Sequence, residues 1–209
     1  MGKNRAYWLI GVVLTALVVL TFYYKQEFEQ NKGIASNAKP DVHSDSVKTV
    51  TLKKLLDSVY SHGETLKIKI DKSELTLQLL ADSLVIREYP IVLGTDPVAD
   101  KRMQGDRATP EGDFKVRAFY PHKSWSKFIW IDYPTAESYR KHRAAKAEGT
   151  IPKNASIGGE IGIHGVPNNN NRLIAEKQHW TWGCISMTNP DVEELFTIVY
   201  EGMPITIVP

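Results

Sequence analysis

The sequence predicts a mainly β domain with flanking helices, preceded by one N-terminal transmembrane helix. Three observations predict it. Apolar and polar residues alternate at a period of two through most of the chain after Leu66. Helical spacing occurs only in a few short stretches, with no strand–helix–strand alternation, which argues against a doubly wound sheet. Ahead of these, "AYWLIGVVLTALVVLTFYY" runs from Ala6 to Tyr24 without a charge.

At about 1.5 Å rise per residue, that run comes close to the ~30 Å hydrocarbon core of a bilayer. Tyr7 and Trp8 flank one end, and Phe22, Tyr23 and Tyr24 the other, where an aromatic belt belongs. Lys3 and Arg5 precede the segment, while Glu27 and Glu29 follow Lys25. The positive-inside rule then keeps the N-terminus in the cytoplasm and exports the rest. The run is longer than a secretory h-region and no small-x-small site follows closely, so an uncleaved single-pass anchor in the inner membrane is expected. No cysteine lies near its end, which excludes a lipoprotein anchor. The expected organisation is a cytoplasmic tip and signal-anchor over 1–24, a polar linker over 25–49, an amphipathic helix over 50–63 and an extracytoplasmic domain over 64–209.

The helix rests on Leu52, Leu55, Leu56 and Val59, with Gly63 as its stop. "LKIKID", "ELTLQLL" and "SLVIREYPIVLG" read as three strands, the last ending at Gly94. A Gly/Pro-rich loop from Gly105 to Gly112 leads to a strand over 114–120, and "KFIWID" (127–132) gives another. "TAESYRKHRAAKAEG" reads as a helix capped by Thr135 and closed by Gly149. "EIGIHG" and "GCISM" are short apolar strands separated by a loop holding Asn168 to Asn171, read as a flexible surface loop. "NPDVEELFTIVYEG" predicts a helix with Asn189 as cap, Pro190 in the first turn and Gly202 at its end. "PITIVP" is a closing strand.

The net charge of +2, with no basic stripe, gives no reason to expect a nucleic-acid partner. A single cysteine, Cys184, allows no intrachain disulfide and no thiolate cage, and neither His-x-His nor His-Glu-x-x-His occurs. No metal or cofactor is expected. Free cysteine is often a small buried hydrophobe, so Cys184 alone leaves packing and chemistry both open. A nucleophilic thiol needs a base nearby. His43 falls in the linker and His62 at a helix end, and His122 and His142 sit in polar, surface-like surroundings. His164 ends an apolar strand before Gly165, where a side chain can be aimed into a cleft. His179 precedes the Cys184 stretch. Trp125, Trp130, Trp180 and Trp182 are candidates to line such a cleft or to fill a β core.

"IGIHG", then "TWGCISMTN", then "DVEELFTIVYEG" and "PITIV", resembles the YkuD-type L,D-transpeptidase catalytic domain. "ATPEGDFKV" is similar to that family's T-P-x-G-x-F turn and strand, and the likeness runs from Leu66 to Val208. The resemblance implies an L,D-transpeptidase-type β-sandwich or mixed sheet, acting on peptidoglycan stem peptides. It implies Cys184 as nucleophile on the third-residue carbonyl, His164 as general base, and backbone N–H groups at Gly183 and Cys184 in the oxyanion hole. Substrate contacts are expected from Gly165, His179, Thr181, Trp182 and Ser186. An amine of another stem, or of a wall-attached protein, would then take the acyl group; water would make the enzyme a hydrolase. Many members have His where this chain has Trp182, and Arg where it has Ser186. The pattern is nearer a Gram-negative branch with D-W-T-x-G-C-I-A, in which His179 here replaces the aspartate.

Overall fold

The computed structural model describes residues 65–209 together with Leu52 and Leu56. The segment Ala6 to Tyr24, the linker and most of the 50–63 helix lie outside the described residues. Among the described residues no helix is long and apolar enough to cross a membrane. Leu52 and Leu56 are helical and buried in the main core, as the amphipathic spacing requires.

Strands β1 (Leu66–Asp71), β2 (Thr76–Ala81) and β3 (Leu84–Pro90) form an antiparallel meander. In β1 the buried Leu66, Ile68 and Ile70 alternate with the wetter Lys67 and Lys69, which is the period-two pattern turned into two faces. A small parallel pair follows, β4 (Asp96–Asp100) with β5 (Ala108–Thr109). Then come β6 (Gly112–His122), β7 (Ser126–Ile131), β8 (Gly162–His164), β9 (Ile185–Ser186) and β10 (Pro204–Val208). The main sheet has eight strands in the order β3-β2-β1-β10-β6-β7-β8-β9. The β1–β10 and β8–β9 pairs are parallel and the others antiparallel. The mixed sheet is therefore observed, its eight strands hydrogen-bonded in one continuous series. The closing strand β10 joins both halves, pairing with β1 on one side and β6 on the other.

Ile68, Ile70, Leu79, Ile129, Ile163, Ile185 and Ile207 are all at most 2% exposed and belong to one core. Each such side chain contributes about 1.5–3 kcal/mol by leaving water. Helix α1 (Ala136–Glu148) joins β7 to β8. Thr135 and Ser138 form its capping box, and Gly149, in the left-handed region, closes it, as the sequence indicates. A 3₁₀ turn (Pro167–Asn169) and the short α2 (Arg172–Ala175) occupy the segment expected to be a loose loop. Asn169 and Asn171 in it are ordered by Asn189: Asn171 Oδ1 accepts the Asn189 N–H at 3.0 Å, and the Asn189 amide donates to Asn169 Oδ1.

Helix α3 (Asn189–Phe196) starts and stops earlier than the sequence suggests. Its cap is Thr188, whose side chain accepts from the Asp191 N–H, with Pro190 in the first turn. Asn189 is buried, and its Oδ1 accepts the Val166 N–H at 2.8 Å instead of capping. After Phe196 come Thr197, Ile198 and Val199, three β-branched residues that propagate a helix poorly, and the chain leaves the helix well before Gly202.

Candidate active site

Strands β8 and β9 bring two distant stretches side by side, with Ile163 opposite Ile185 and His164 opposite Ser186. One step back along both strands, Cys184 lies level with Gly162. Residues two apart on a strand share a face, so Cys184 and His164 face the same side of the sheet. Both line one cavity of about 730 Å³, together with Trp125, Glu160, Trp180 and Trp182.

The turn before β9 is tied to its surroundings on every side. Thr181 Oγ donates to the Cys184 carbonyl at 2.7 Å and accepts the Gly183 N–H at 3.2 Å. The Thr181 backbone bridges to the segment after β3: its carbonyl accepts from Thr95 N–H and its N–H reaches the Leu93 carbonyl. Gly183 has φ +123, and a Cβ there would stand 2.6 Å from the Ala108 carbonyl oxygen. Both facts demand glycine. Gly183→Ala is expected to cost about 1–3 kcal/mol of stability through that collision. The check is a lowered urea midpoint at constant slope, and an unshifted midpoint would show that the turn relaxes freely.

His164 is held with comparable care. It is 2% exposed, and its Nδ1 lies 2.7 Å from the Gly165 carbonyl oxygen. A carbonyl only accepts, so Nδ1 carries the proton and Nε2 keeps the lone pair. Trp125 stacks on the ring at 4.5 Å between centroids, Phe128 lies parallel to it at 5.8 Å, and Trp180 meets it edge-on at 5.5 Å. A Cβ at Gly165 would stand 2.1 Å from Asn189 Oδ1 and 2.7 Å from the Trp125 carbonyl oxygen, so glycine is what lets both close in beside His164.

Burial governs both titrations. It pulls His164 down to about 4, the Gly165 carbonyl opposing and His122 assisting. It pushes the Cys184 thiol up to about 11, opposed by the Gly162 N–H and Lys101 and assisted by Glu160. At neutral pH the resting site therefore holds a neutral thiol and a neutral imidazole. The thiol hydrogen is directed at the Glu160 carbonyl, 3.5 Å away.

The structure brings together some of the predicted residues and separates others. Cys184, His164, Thr181 and Trp182 line the cavity, and Trp182 stands 76% exposed at its rim with the Arg107 guanidinium over its ring at 5.7 Å. His179 lines a different cavity, beside Lys72 and Val98, and its Nδ1 accepts the Leu93 N–H at 3.1 Å. Ser186 is fully buried with its hydroxyl on the Gly165 carbonyl, 3.3 Å away, so it braces the segment beside His164 and does not line the cavity. Gly165 is likewise buried behind His164. The Gly183 N–H is already taken by Thr181, which leaves the Cys184 N–H as the candidate oxyanion donor of this turn.

Among the tryptophans, Trp130 lies outside the cavity under Arg117, 4.6 Å from its ring. His142, expected at the surface, is buried with Nδ1 2.6 Å from the Arg102 carbonyl oxygen. His122 stacks on the outer face of Trp125 at 4.3 Å.

Sequence reasoning missed Lys101 and Glu160. Lys101 lines the cavity yet is 3% exposed at its side chain, with its ammonium 2.8 Å from Asp106 and 3.1 Å from the Met103 carbonyl. Nothing local distinguishes it from a surface lysine. Among the described residues no group of three or more His, Cys, Asp or Glu could hold a metal ion.

The YkuD family profile, the L,D-transpeptidase catalytic domain, matches residues 66–207. No curated protein sequence matches the chain. Among solved structures, Bd1075 from Bdellovibrio bacteriovorus shares 19% identity over 70% of this chain and 49% of its own, with a TM-score of 0.49. The helical cell shape determining protein Pgp2 from Campylobacter jejuni shares 18% over 76% of this chain and 55% of its own, with a TM-score of 0.48. An L,D-transpeptidase from Mycobacterium smegmatis shares 18% over 70% and 59%, with a TM-score of 0.42. The chain thus spans about half the length of the first two. With the profile covering β1 to β10, this chain belongs to the YkuD family of L,D-transpeptidase catalytic domains.

Proposed function

We propose that the domain is a cysteine-dependent L,D-transpeptidase acting on peptidoglycan stem peptides. The observation that carries the reading is the shared cavity of Cys184 and His164, with the imidazole proton pinned on Nδ1 so that Nε2 is free to act as base. As the sulfur attacks the third-residue carbonyl, Nε2 takes the thiol proton. The new thiolate and imidazolium then stabilise one another as a pair, which neither charge enjoys alone in this buried site. The tetrahedral oxyanion takes the Cys184 N–H. On collapse the C–N bond breaks, the imidazolium gives its proton to the departing D-Ala amine, and a thioester remains on Cys184. An amine then attacks the thioester, His164 passing a proton to the leaving sulfur.

The N-terminal segment supports a setting for this chemistry. An inner-membrane anchor with the domain outside the cytoplasm would place the cavity beside the wall, and a wall-attached protein is a further acceptor or substrate. Water in place of the amine would give an L,D-carboxypeptidase or amidase with the same residues. A silent wall-binding module has no use for a pinned imidazole beside a thiol.

The deciding experiment is mass spectrometry of muropeptides incubated with the full chain in detergent. A dimer joined through third-position residues with loss of D-Ala is expected. A shortened tripeptide alone would assign hydrolysis, and unchanged muropeptides would overturn the catalytic reading.

A further inference from the structure

The acylation chemistry leaves two charged residues of the cavity unused, Lys101 and Glu160. Lys101 is neutralised by Asp106 at 2.8 Å. Glu160 is not neutralised. It is exposed, and among the described residues its carboxylate has neither an ion pair nor a hydrogen bond. The other acids of this region are committed: Asp100 to Arg102 and Lys141, Asp106 to Lys101, Glu111 to Lys72. Glu160 also stands at φ +58, a left-handed conformation disfavoured for a side chain of this kind, directly after Gly158 and Gly159. That backbone brings its carbonyl oxygen to 3.5 Å from the Cys184 sulfur.

An uncompensated anion lining the same cavity as a thiol works against thiolate formation, and Glu160 does raise the thiol. The first half-reaction gains nothing from it. The second half-reaction does, because an amine acceptor arrives at neutral pH as an ammonium ion. Resting on the thiol reading above, we propose that Glu160 is the acceptor-binding residue, its carboxylate receiving the ammonium of the incoming amine beside the thioester and favouring aminolysis over hydrolysis. The balance is simple. The nitrogen forms the amide bond as the carbon–sulfur bond breaks, and it sheds two protons. One passes through His164 to the Cys184 sulfur, and the other leaves to bulk water. Water as nucleophile brings no cation and has no need of Glu160.

The test uses the full chain acylated by a tetrapeptide stem, with two acceptors. One is a tripeptide stem whose diamino acid presents an ammonium; the other is hydroxylamine, uncharged at neutral pH. Glu160→Gln keeps size and hydrogen bonding but removes the charge. Its acylation rate is expected to stay within about threefold of the parent, while transfer to the ammonium acceptor relative to hydrolysis falls about tenfold or more, the worth of one charge-assisted contact. Transfer to hydroxylamine is expected to be unchanged, and Glu160→Asp to recover part of the loss. An unaltered ratio for the ammonium acceptor, or an equal loss for both acceptors, would overturn the proposal. A parent acyl-enzyme that only hydrolyses would overturn it while leaving the thiol reading intact. Absence of any acyl-enzyme would remove the thiol reading and this inference with it.

Discussion

Cys184→Ala is expected to abolish D-Ala release from a tetrapeptide stem while leaving the melting temperature within a few degrees of the parent. Removing the nucleophile of a catalytic pair costs on the order of 10⁵–10⁶-fold in turnover. The fold tolerates the change because the sulfur, though shielded from water inside the cavity, is not part of the hydrophobic core. Cys184 lies outside both hydrophobic clusters and makes one long contact to the Glu160 carbonyl. A cavity-lining substitution of this size, outside the core, moves stability by about 1 kcal/mol or less. A cysteine that served packing alone would give the opposite result, with activity kept and stability lost. The parent thiol carries its own signature. With its titration pushed up to about 11, the thiolate fraction rises about tenfold per pH unit across the neutral and mildly alkaline range. Iodoacetamide alkylation should follow that slope without levelling near 8.5. A plateau there would mean an ordinary, unburied thiol.

Much of this architecture is legible in the sequence because its causes are local. The alternation of Leu66, Ile68 and Ile70 with two lysines is the face pattern of β1 itself, and the Thr135 and Gly149 caps of α1 act within a turn of their own positions. The sequence singles out Cys184 and His164 through their glycine neighbours and the motif likeness, and the two line one cavity. What escaped has non-local causes. Asn189 reads as a cap, yet its amide is spent on Val166 and Asn169, about twenty residues away. His142 reads as surface because its carbonyl partner, Arg102, is forty residues upstream. β4 lacks any periodicity of its own and exists by pairing with β5. His179 sits only five residues before Cys184, but a turn bonded to residues 93 and 95 carries it to another face. Nearness in sequence to Cys184 is a poor guide there, while Glu160, four residues before His164, gives no signal beyond two glycines.

His164→Gln is expected to lower the acylation rate by about 10²–10⁴-fold, the usual contribution of a positioned base. Glutamine approximates the imidazole in size and can still donate to the Gly165 carbonyl, but it offers no basic nitrogen where Nε2 stood. The variant should therefore fold, and at neutral pH it should bind stem peptides nearly as the parent does. Its second effect is on acid stability, and the sign follows from the depressed titration. In the unfolded chain His164 protonates near 6.5, whereas in the folded protein burial holds it neutral down to about 4. Between those values the unfolded state binds a proton that the folded state refuses, so parent stability falls as pH drops through that window. The full loss is roughly 3 kcal/mol, at about 1.4 kcal/mol for each unit of separation. Glutamine has no proton to refuse, so urea midpoints of the variant at pH 7 and pH 4.5 should differ less than those of the parent. The two readouts answer different questions. A slow variant with a flattened acid response identifies His164 as a buried neutral base. A slow variant with the parent's acid response would place the buried titrating group elsewhere. A variant that acylates at the parent rate would remove His164 from the chemistry, whatever its effect on stability.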